Sequence, residues 1–303
     1  MIDMKNAHPV VFGEVLFDRF PDGNVVLGGA PFNVARHLQA FGREPLMISR
    51  VGNDALGRNI RQAMENWSMA LCGLQLDSQH PTGTVEVSIH AGEPAYDIVD
   101  QRAYDFIDAT LLPPLPESGV LYHGSLALRN PVSRRALETL HQDSDMALFI
   151  DVNLRAPWWQ RDAVLAMLQQ ARWAKLNADE LASLCPEEDS LEARARFLLA
   201  DYGLEWLVVT LGGAGAQVFM ADADTLSIAP AQSTPVADTA DTVGAGDAFT
   251  SVLLLGLLRD WPMQQTLQRA QAFASAIVGV RGATVSDAGF YERICADWGL
   301  LCG

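Results

Sequence analysis

Positive charge is scarce in this chain. Lys and Arg total 21 against 37 Asp and Glu, a net charge of −16 over 303 residues. Such a surface repels nucleic-acid backbones and anionic membranes, so neither is expected as a partner. Any phosphate must be held locally, by backbone amides, a metal ion or a few placed cations. Long apolar runs are also missing: the densest, Val252 to Leu258, is far too short to span a bilayer. Met1-Ile2-Asp3-Met4-Lys5-Asn6 offers no basic stretch leading into an apolar one, so no signal peptide is read there and a cytoplasmic setting is expected. The cysteines, Cys72, Cys185, Cys295 and Cys302, show no C-x-x-C spacing, and a chain this long does not need disulfide staples, so reduced thiols are expected. The six histidines are scattered without metal-cluster spacing and read as structural or surface groups. Trp67, Trp173 and Trp206 fit apolar faces and read as packing residues. There is no Walker lysine motif, internal repeat or low-complexity tract.

What is present is apolar content, 49% of the residues, enough for one sizeable α/β domain over residues 1–303 with a small appendage. Val10-Val11-Phe12, Leu148-Phe149-Ile150-Asp151 and Leu207-Val208-Val209 read as buried strands. Helical patterns lie between and around them: Phe32 to Phe41, Leu56 to Trp67, Ser133 to Leu140, Ala163 to Ala171, Leu191 to Leu199 and Met263 to Val280. Alternation of this kind predicts a doubly wound, mostly parallel sheet with its ligand crevice at the carboxyl ends of the strands. Phe17 to Leu27, with Pro21-Asp22-Gly23-Asn24 at its centre, reads as a hairpin, and Thr82 to Ile98 alternates as a strand. Together they form either a small sheet over the crevice or an edge extension.

Asp241-Thr242-Val243-Gly244-Ala245-Gly246-Asp247 runs straight into an apolar helical segment. Its glycines let backbone amides converge at a helix start, where the macrodipole also favours an anion. A carboxylate beside a phosphate cradle costs repulsion, and taking a proton from an attacking hydroxyl would justify it. By itself the segment is equally a glycine turn with Asp247 as N-cap. Gly28-Gly29-Ala30-Pro31-Phe32-Asn33-Val34-Ala35 opens another helix, with Asn33 able both to donate to and to accept from a hydroxyl.

These two segments, in this order and with Gly42 and Gly52 between them, resemble both signature motifs of the ribokinase-like, PfkB-type sugar kinases, and weaker matches cover nearly the whole chain. Ser251-Val252 stands where the family usually has a small pair, a difference that concerns helix packing. The resemblance implies a three-layer α/β/α sandwich with a small β-sheet lid, drawn from about 16–30 and about 82–105. It implies Asp247 as the base, with Gly244, Ala245 and Gly246 stabilising the transferring phosphoryl group. Asp-x-Asn-x-Arg before Trp158-Trp159 is similar to fructokinase-like members; it implies Asn153 at a sugar hydroxyl and Arg155 at phosphoryl charge, a salt-bridged Arg being the alternative.

By the same resemblance Asp18, at the base of the lid, with Gly28, Gly29 and Asn33, would bind sugar. Asn177 and Glu180 would help hold Mg2+ and its waters near the phosphates. Thr210, Gly212, Gly215 and Ala272 would contact nucleotide, and Asp241 with Ser286 would form a monovalent-cation site for K+. The expected activity is ATP-dependent phosphorylation of a sugar, fructose at its 6-hydroxyl by resemblance. Ala95-Tyr96-Asp97, echoed by Ala103-Tyr104-Asp105, supports that choice. The alternatives are 2-keto-3-deoxygluconate, ribose or a nucleoside as acceptor, or a regulator that binds sugar or nucleotide without turnover. A lid with open edges also suggests a homodimer.

Overall fold

The computed structural model describes residues 7–90, 93–116, 118–229, 243–280 and 282–302. In chain order the strands are β1 (His8–Phe12), β2 (Leu16–Arg19), β3 (Val25–Gly28), β4 (Leu46–Gly52), β5 (Leu74–Asp77), β6 (Gly83–His90), β7 (Glu93–Ile98), β8 (Gly119–His123), β9 (Ala147–Asp151), β10 (Trp173–Asn177), β11 (Trp206–Thr210), β12 (Ala216–Met220) and β13 (Leu226–Ile228). The helices are α1 (Ala30–Ala40), α2 (Ala55–Asn66), α3 (Pro131–Gln142), α4 (Arg161–Leu168), α5 (Ala178–Leu184), α6 (Leu191–Tyr202), α7 (Ala245–Arg259), α8 (Met263–Val278) and α9 (Ala288–Trp298).

Strands as apolar as Val10-Val11-Phe12 need cover on both faces, because successive side chains point to opposite sides. Val11, Tyr122, Phe149 and Val208 join one core with residues of α1, α7 and α8. Their neighbours Val10, Leu121, Leu148 and Leu207 join a second with residues of α3, α4 and α6. The result is helix, sheet, helix. The main sheet runs β13-β12-β11-β10-β9-β8-β1-β4-β5. It is parallel from β11 to β5, and β12 and β13 add an antiparallel edge. Trp173 and Trp206 stack at 6.0 Å and Phe32 meets Trp67 at 6.1 Å, so these indoles pack as expected.

The second sheet, β3-β2-β6-β7, is the lid. The expected hairpin is β2–β3, turned where the Phe20 amide donates to the Asn24 carbonyl at 2.9 Å. Thr82 to Ile98 is two strands rather than one, an antiparallel hairpin in which Val85 faces Ile98. After β7 the chain returns to the main body: Ala103–Phe106 is a short 3-10 turn with Ala103 and Tyr104 fully buried. The two Ala-Tyr-Asp echoes therefore differ in environment, since Tyr96 lies exposed on β7.

The thiol expectation is corrected for one pair. Gly299 caps α9 in the left-handed region and turns the chain back, so Cys302 bonds to Cys295 with Cα atoms 6.0 Å apart. Cys72 and Cys185 are free. Ser251 and Val252 are buried in α7, and the Ser251 hydroxyl donates to the Ala248 carbonyl at 2.7 Å, consistent with a packing role. Among the described residues no helix is long and apolar enough to cross a membrane.

Candidate active site

The site assembles where α7 begins. Gly244, at φ 83°, is its N-cap, and no side chain caps the helix, so Asp247 is not the cap that a plain turn would need. Its carboxylate instead accepts from Asn33 Nδ2 of α1 at 2.8 Å. That bond joins the carboxylate of one glycine motif to the amide of the other. A Cβ on Gly244 would lie 2.4 Å from Ala283 Cα, so glycine is required for the following loop to close over the bend. His37 and Arg36 of α1 hold that loop through the carbonyls of Ala283, at 3.1 Å, and Val285, at 3.5 Å. Burial drives the His37 pKa down to about 3, leaving a neutral ring that donates to Ala283 and accepts from the Tyr291 hydroxyl at 3.0 Å.

Beneath the bend lies a buried ion pair. Lys175 Nζ of β10 donates to both oxygens of Asp151, at 3.1 and 2.8 Å, and reaches the Gly246 carbonyl at 3.5 Å. The Thr250 hydroxyl, 2.7 Å from Asp151 Oδ2 and 2.9 Å from the Gly246 carbonyl, shares its single proton between them. The first turn of α7 is thus tied to the ends of β9 and β10. Burial raises the Asp247 pKa to about 6; the Asn33 hydrogen bond opposes the shift, the Asp151 charge adds to it, and Lys175 and Arg155 oppose it. A carboxylate with that value is ionised at neutral pH yet basic enough to take a proton.

On the lid side, Asp18 of β2 reaches Gly28, whose added Cβ would lie 3.5 Å from Asp18 Oδ2. Gly29, at φ 105°, packs on the Glu14 carbonyl, 2.7 Å from where a Cβ would stand. Glu14 is 3% exposed, and burial raises its pKa to about 7. Arg155 lies exposed on the loop after β9 and donates to the Leu154 carbonyl at 3.0 Å, while its charge acts on both Asp247 and Glu14. Asn153 precedes it in the left-handed region, φ 42°.

On the other side, Asn177 and Glu180 form a capping box at the start of α5. Glu180 Oε2 accepts from the Asn177 amide and Oε1 from the Leu154 amide, both at 2.8 Å, so this carboxylate ties the loop bearing Asn153 and Arg155 to β10. Burial raises its pKa, and those amides work against the rise. Each oxygen keeps a lone pair for water. Thr210 ends β11 beside Asn177 in register. Gly212 and Gly215 flank the turn into β12 with φ 56° and 94°, and a Cβ on Gly215 would fall against the Ile228 carbonyl. Ala272 is exposed on α8, next to β13. Ser286 is exposed on the loop before α9, and Asp241 lies outside the described residues. No cluster of three or more His, Cys, Asp or Glu able to hold a metal occurs among the described residues.

The pfkB family carbohydrate kinase model matches residues 5–288. The chain belongs to the pfkB family of carbohydrate kinases. It is 34% identical over 262 residues to a fructokinase of Klebsiella pneumoniae, covering 82% of this chain and 83% of that protein. It is 29% identical over 306 residues to the aminoimidazole riboside kinase of Salmonella typhimurium, covering 92% of each. A crystal structure of Vibrio cholerae fructokinase bound to fructose, ADP and calcium superposes with a TM-score of 0.79 at 26% identity, covering 96% of this chain and 99% of that one. The protein is an ATP-dependent sugar kinase with the ribokinase-like fold.

Lys175, Thr250 and Glu14 belong to none of the sequence motifs that pointed to this cleft. Two signals were available. Lys175 interrupts the otherwise apolar Trp173-Ala174-Lys175-Leu176, and Glu14 interrupts Phe12-Gly13-Glu14-Val15. A charge inside a buried strand or at its end asks for a partner.

Proposed function

We propose that the protein phosphorylates fructose at its 6-hydroxyl, with Asp247 as the base. The observation that carries the reading is the Asp247 carboxylate, half-buried, oriented by Asn33 and set in the first turn of an uncapped helix. The sugar lies against Asp18, Gly28, Gly29 and Asn33, with Asn153 on a further hydroxyl. Asp247 takes the proton of the attacking hydroxyl. The amides of Ala245 and Gly246, with the α7 dipole, stabilise the developing charge on the γ-phosphoryl group, and Arg155 adds a cation from across the cleft. Thr210, Gly212, Gly215 and Ala272 bound the nucleotide. Fructose as acceptor is supported by the fructokinase relatives.

Mg2+ suits this set, since Glu180 and Asn177 offer hard oxygen donors through water; bound, it neutralises phosphate charge. The K+ site rests on Ser286 and Asp241. ATP as donor fits a cytoplasmic protein. The apolar Val25, Val26 and Tyr96, 46%, 37% and 50% exposed on the lid, support a homodimer through it; a monomeric mass at working concentration would reject that.

A panel of sugars assayed for ATP consumption, with the product located by 31P–1H coupling, tests the acceptor. Fructose should give the highest kcat/KM; no acceptor above background hydrolysis would reject the kinase reading. Asp247→Asn should lower kcat by orders of magnitude with little change in nucleotide affinity, and near-normal turnover would reject its role. A riboside acceptor is the second reading, favoured by the aminoimidazole riboside kinase relative.

A further inference from the structure

Several buried polar side-chain atoms lack a partner among the described residues. Among them are Glu14 Oε2, Asn33 Oδ1 and Arg129 Nη1. Nearly all buried polar groups in folded proteins are paired, so such atoms mark places where a ligand completes the bonding.

Arg129 shows the pattern best. Its Nε donates to Asp105 Oδ1 at 2.7 Å, and its Nη2 to Asp105 Oδ2 at 2.8 Å, the Val99 carbonyl at 2.8 Å and the Tyr104 hydroxyl at 3.1 Å. Its Cζ lies 4.4 Å from the centroid of the Trp158 ring. The guanidinium is thus fixed by the segment returning from the lid, with Nη1 unpaired. Its charge acts on Glu14, and Glu14 in turn feels Arg155 and Asp247. Glu14 is anchored through its own backbone, which packs against Gly29 at the head of the helix carrying Asn33. An unpaired donor, Arg129 Nη1, and an unpaired acceptor, Glu14 Oε2, thus sit on two buried groups whose charges act on each other, and Glu14 also feels the charge of Asp247.

We propose that Glu14 and Arg129 read the acceptor: a sugar hydroxyl remote from the one phosphorylated donates to Glu14 Oε2 and accepts from Arg129 Nη1. A hydroxyl serves both roles at once. The pair would therefore select acceptors carrying a hydroxyl at that distance from the attacking oxygen and reject those lacking it, since an analogue without it leaves both groups unpaired. This rests on the sugar-kinase reading of the same cleft, but is tested by binding rather than turnover.

The experiment is titration calorimetry of a panel of ketohexoses, aldohexoses and ribosides, and of deoxy analogues of the tightest binder, against wild type, Glu14→Ala and Glu14→Gln. Glu14→Ala should weaken sugar binding tenfold or more, and Glu14→Gln, which still accepts and donates, should restore most of it. A non-hydrolysable ATP analogue should bind all three alike, which also reports that the variants are folded. One deoxy position should cost wild type tenfold or more and Glu14→Ala little. Equal sugar affinity in wild type and Glu14→Ala, the same penalty for every deoxy analogue in both, or no sugar bound by wild type would overturn the proposal. A sugar that binds with this pattern and is not phosphorylated would sink the role of Asp247 and leave the pair standing.

Discussion

Asn33→Leu removes the donor that keeps Asp247 acidic and leaves a side chain of similar size that excludes water. The 2.8 Å bond from Asn33 lowers the Asp247 pKa against the effect of burial, and the net value is about 6. A hydrogen bond to a charged group contributes about 1.5–3 kcal/mol. At about 1.4 kcal/mol per pKa unit, losing it raises the carboxyl by roughly one to two units, to about 7–8. As the proposed base, Asp247 works only when ionised, so the acidic limb of kcat should move upward from its wild-type position by the same amount. At pH 6.5 roughly three-quarters of wild-type Asp247 is ionised, against roughly a quarter at a pKa of 7 and roughly a thirtieth at 8, from the same proton-binding relation. The variant should lose about 3- to 25-fold in kcat at pH 6.5 and recover by about pH 9. The assay is initial-rate phosphorylation at saturating ATP and sugar across pH 5–9. Saturation matters because Asn33 is also proposed to touch the sugar, so KM should rise independently. An acidic limb that stays at its wild-type position would refute the claim that this amide sets the base.

Lys175→Met should destabilise the protein by about 3 kcal/mol or more, because it leaves the Asp151 carboxylate buried without its cation; a denaturant midpoint within error of wild type would count against that ion pair as a tether of α7. Gly244→Ala forces a side chain into a left-handed position and against Ala283, so both kcat and the thermal midpoint should fall, and normal turnover would show that the bend need not be this tight. Glu14→Gln should change the pH dependence of stability in a defined direction. The folded Glu14 pKa, about 7, lies above its ordinary 4.5, so its contribution is complete below 4.5 and is lost as pH rises through 7. Relative to wild type, the ligand-free variant should therefore gain about 3 kcal/mol on going from pH 4.5 to pH 8, read by denaturant titration, and a constant difference would contradict the burial of an ionisable group there.

Periodicity and glycine placement made much of this legible. Val10-Val11-Phe12 and Leu207-Val208-Val209 are apolar enough to be strands buried on both faces, and Gly29 and Gly244 stand where the backbone takes conformations and contacts that exclude a side chain. The antiparallel β12 and β13 and the break between β6 and β7 were not legible, because alternation along a strand carries no information about its partner's direction. The return of 99–106 from lid to core was hidden for a related reason: Ala95-Tyr96-Asp97 and Ala103-Tyr104-Asp105 are the same letters, and only tertiary packing exposes the first Tyr and buries the second. Thr250 gave no local signal, and Lys175 gave only that of a charge inside an apolar strand. Their role exists only because β9, β10 and α7 converge on Asp151.

That convergence also explains why Asp247, among the carboxyls whose pKa desolvation raises here, is suited to be the proposed base. Glu180 accepts two backbone amides and Asp247 one side-chain amide, while Glu14 keeps an oxygen with no partner. Burial pushes all three pKa values up, and donors push back. With Glu14 at about 7 and Asp247 at about 6, neutral pH leaves Glu14 about half protonated and Asp247 mostly ionised. Glu180, committed to two amides, gains little by moving to receive a proton. Asp247 alone combines an ionised state, a single oriented donor and a place beside helix amides that can share the charge of the group being transferred.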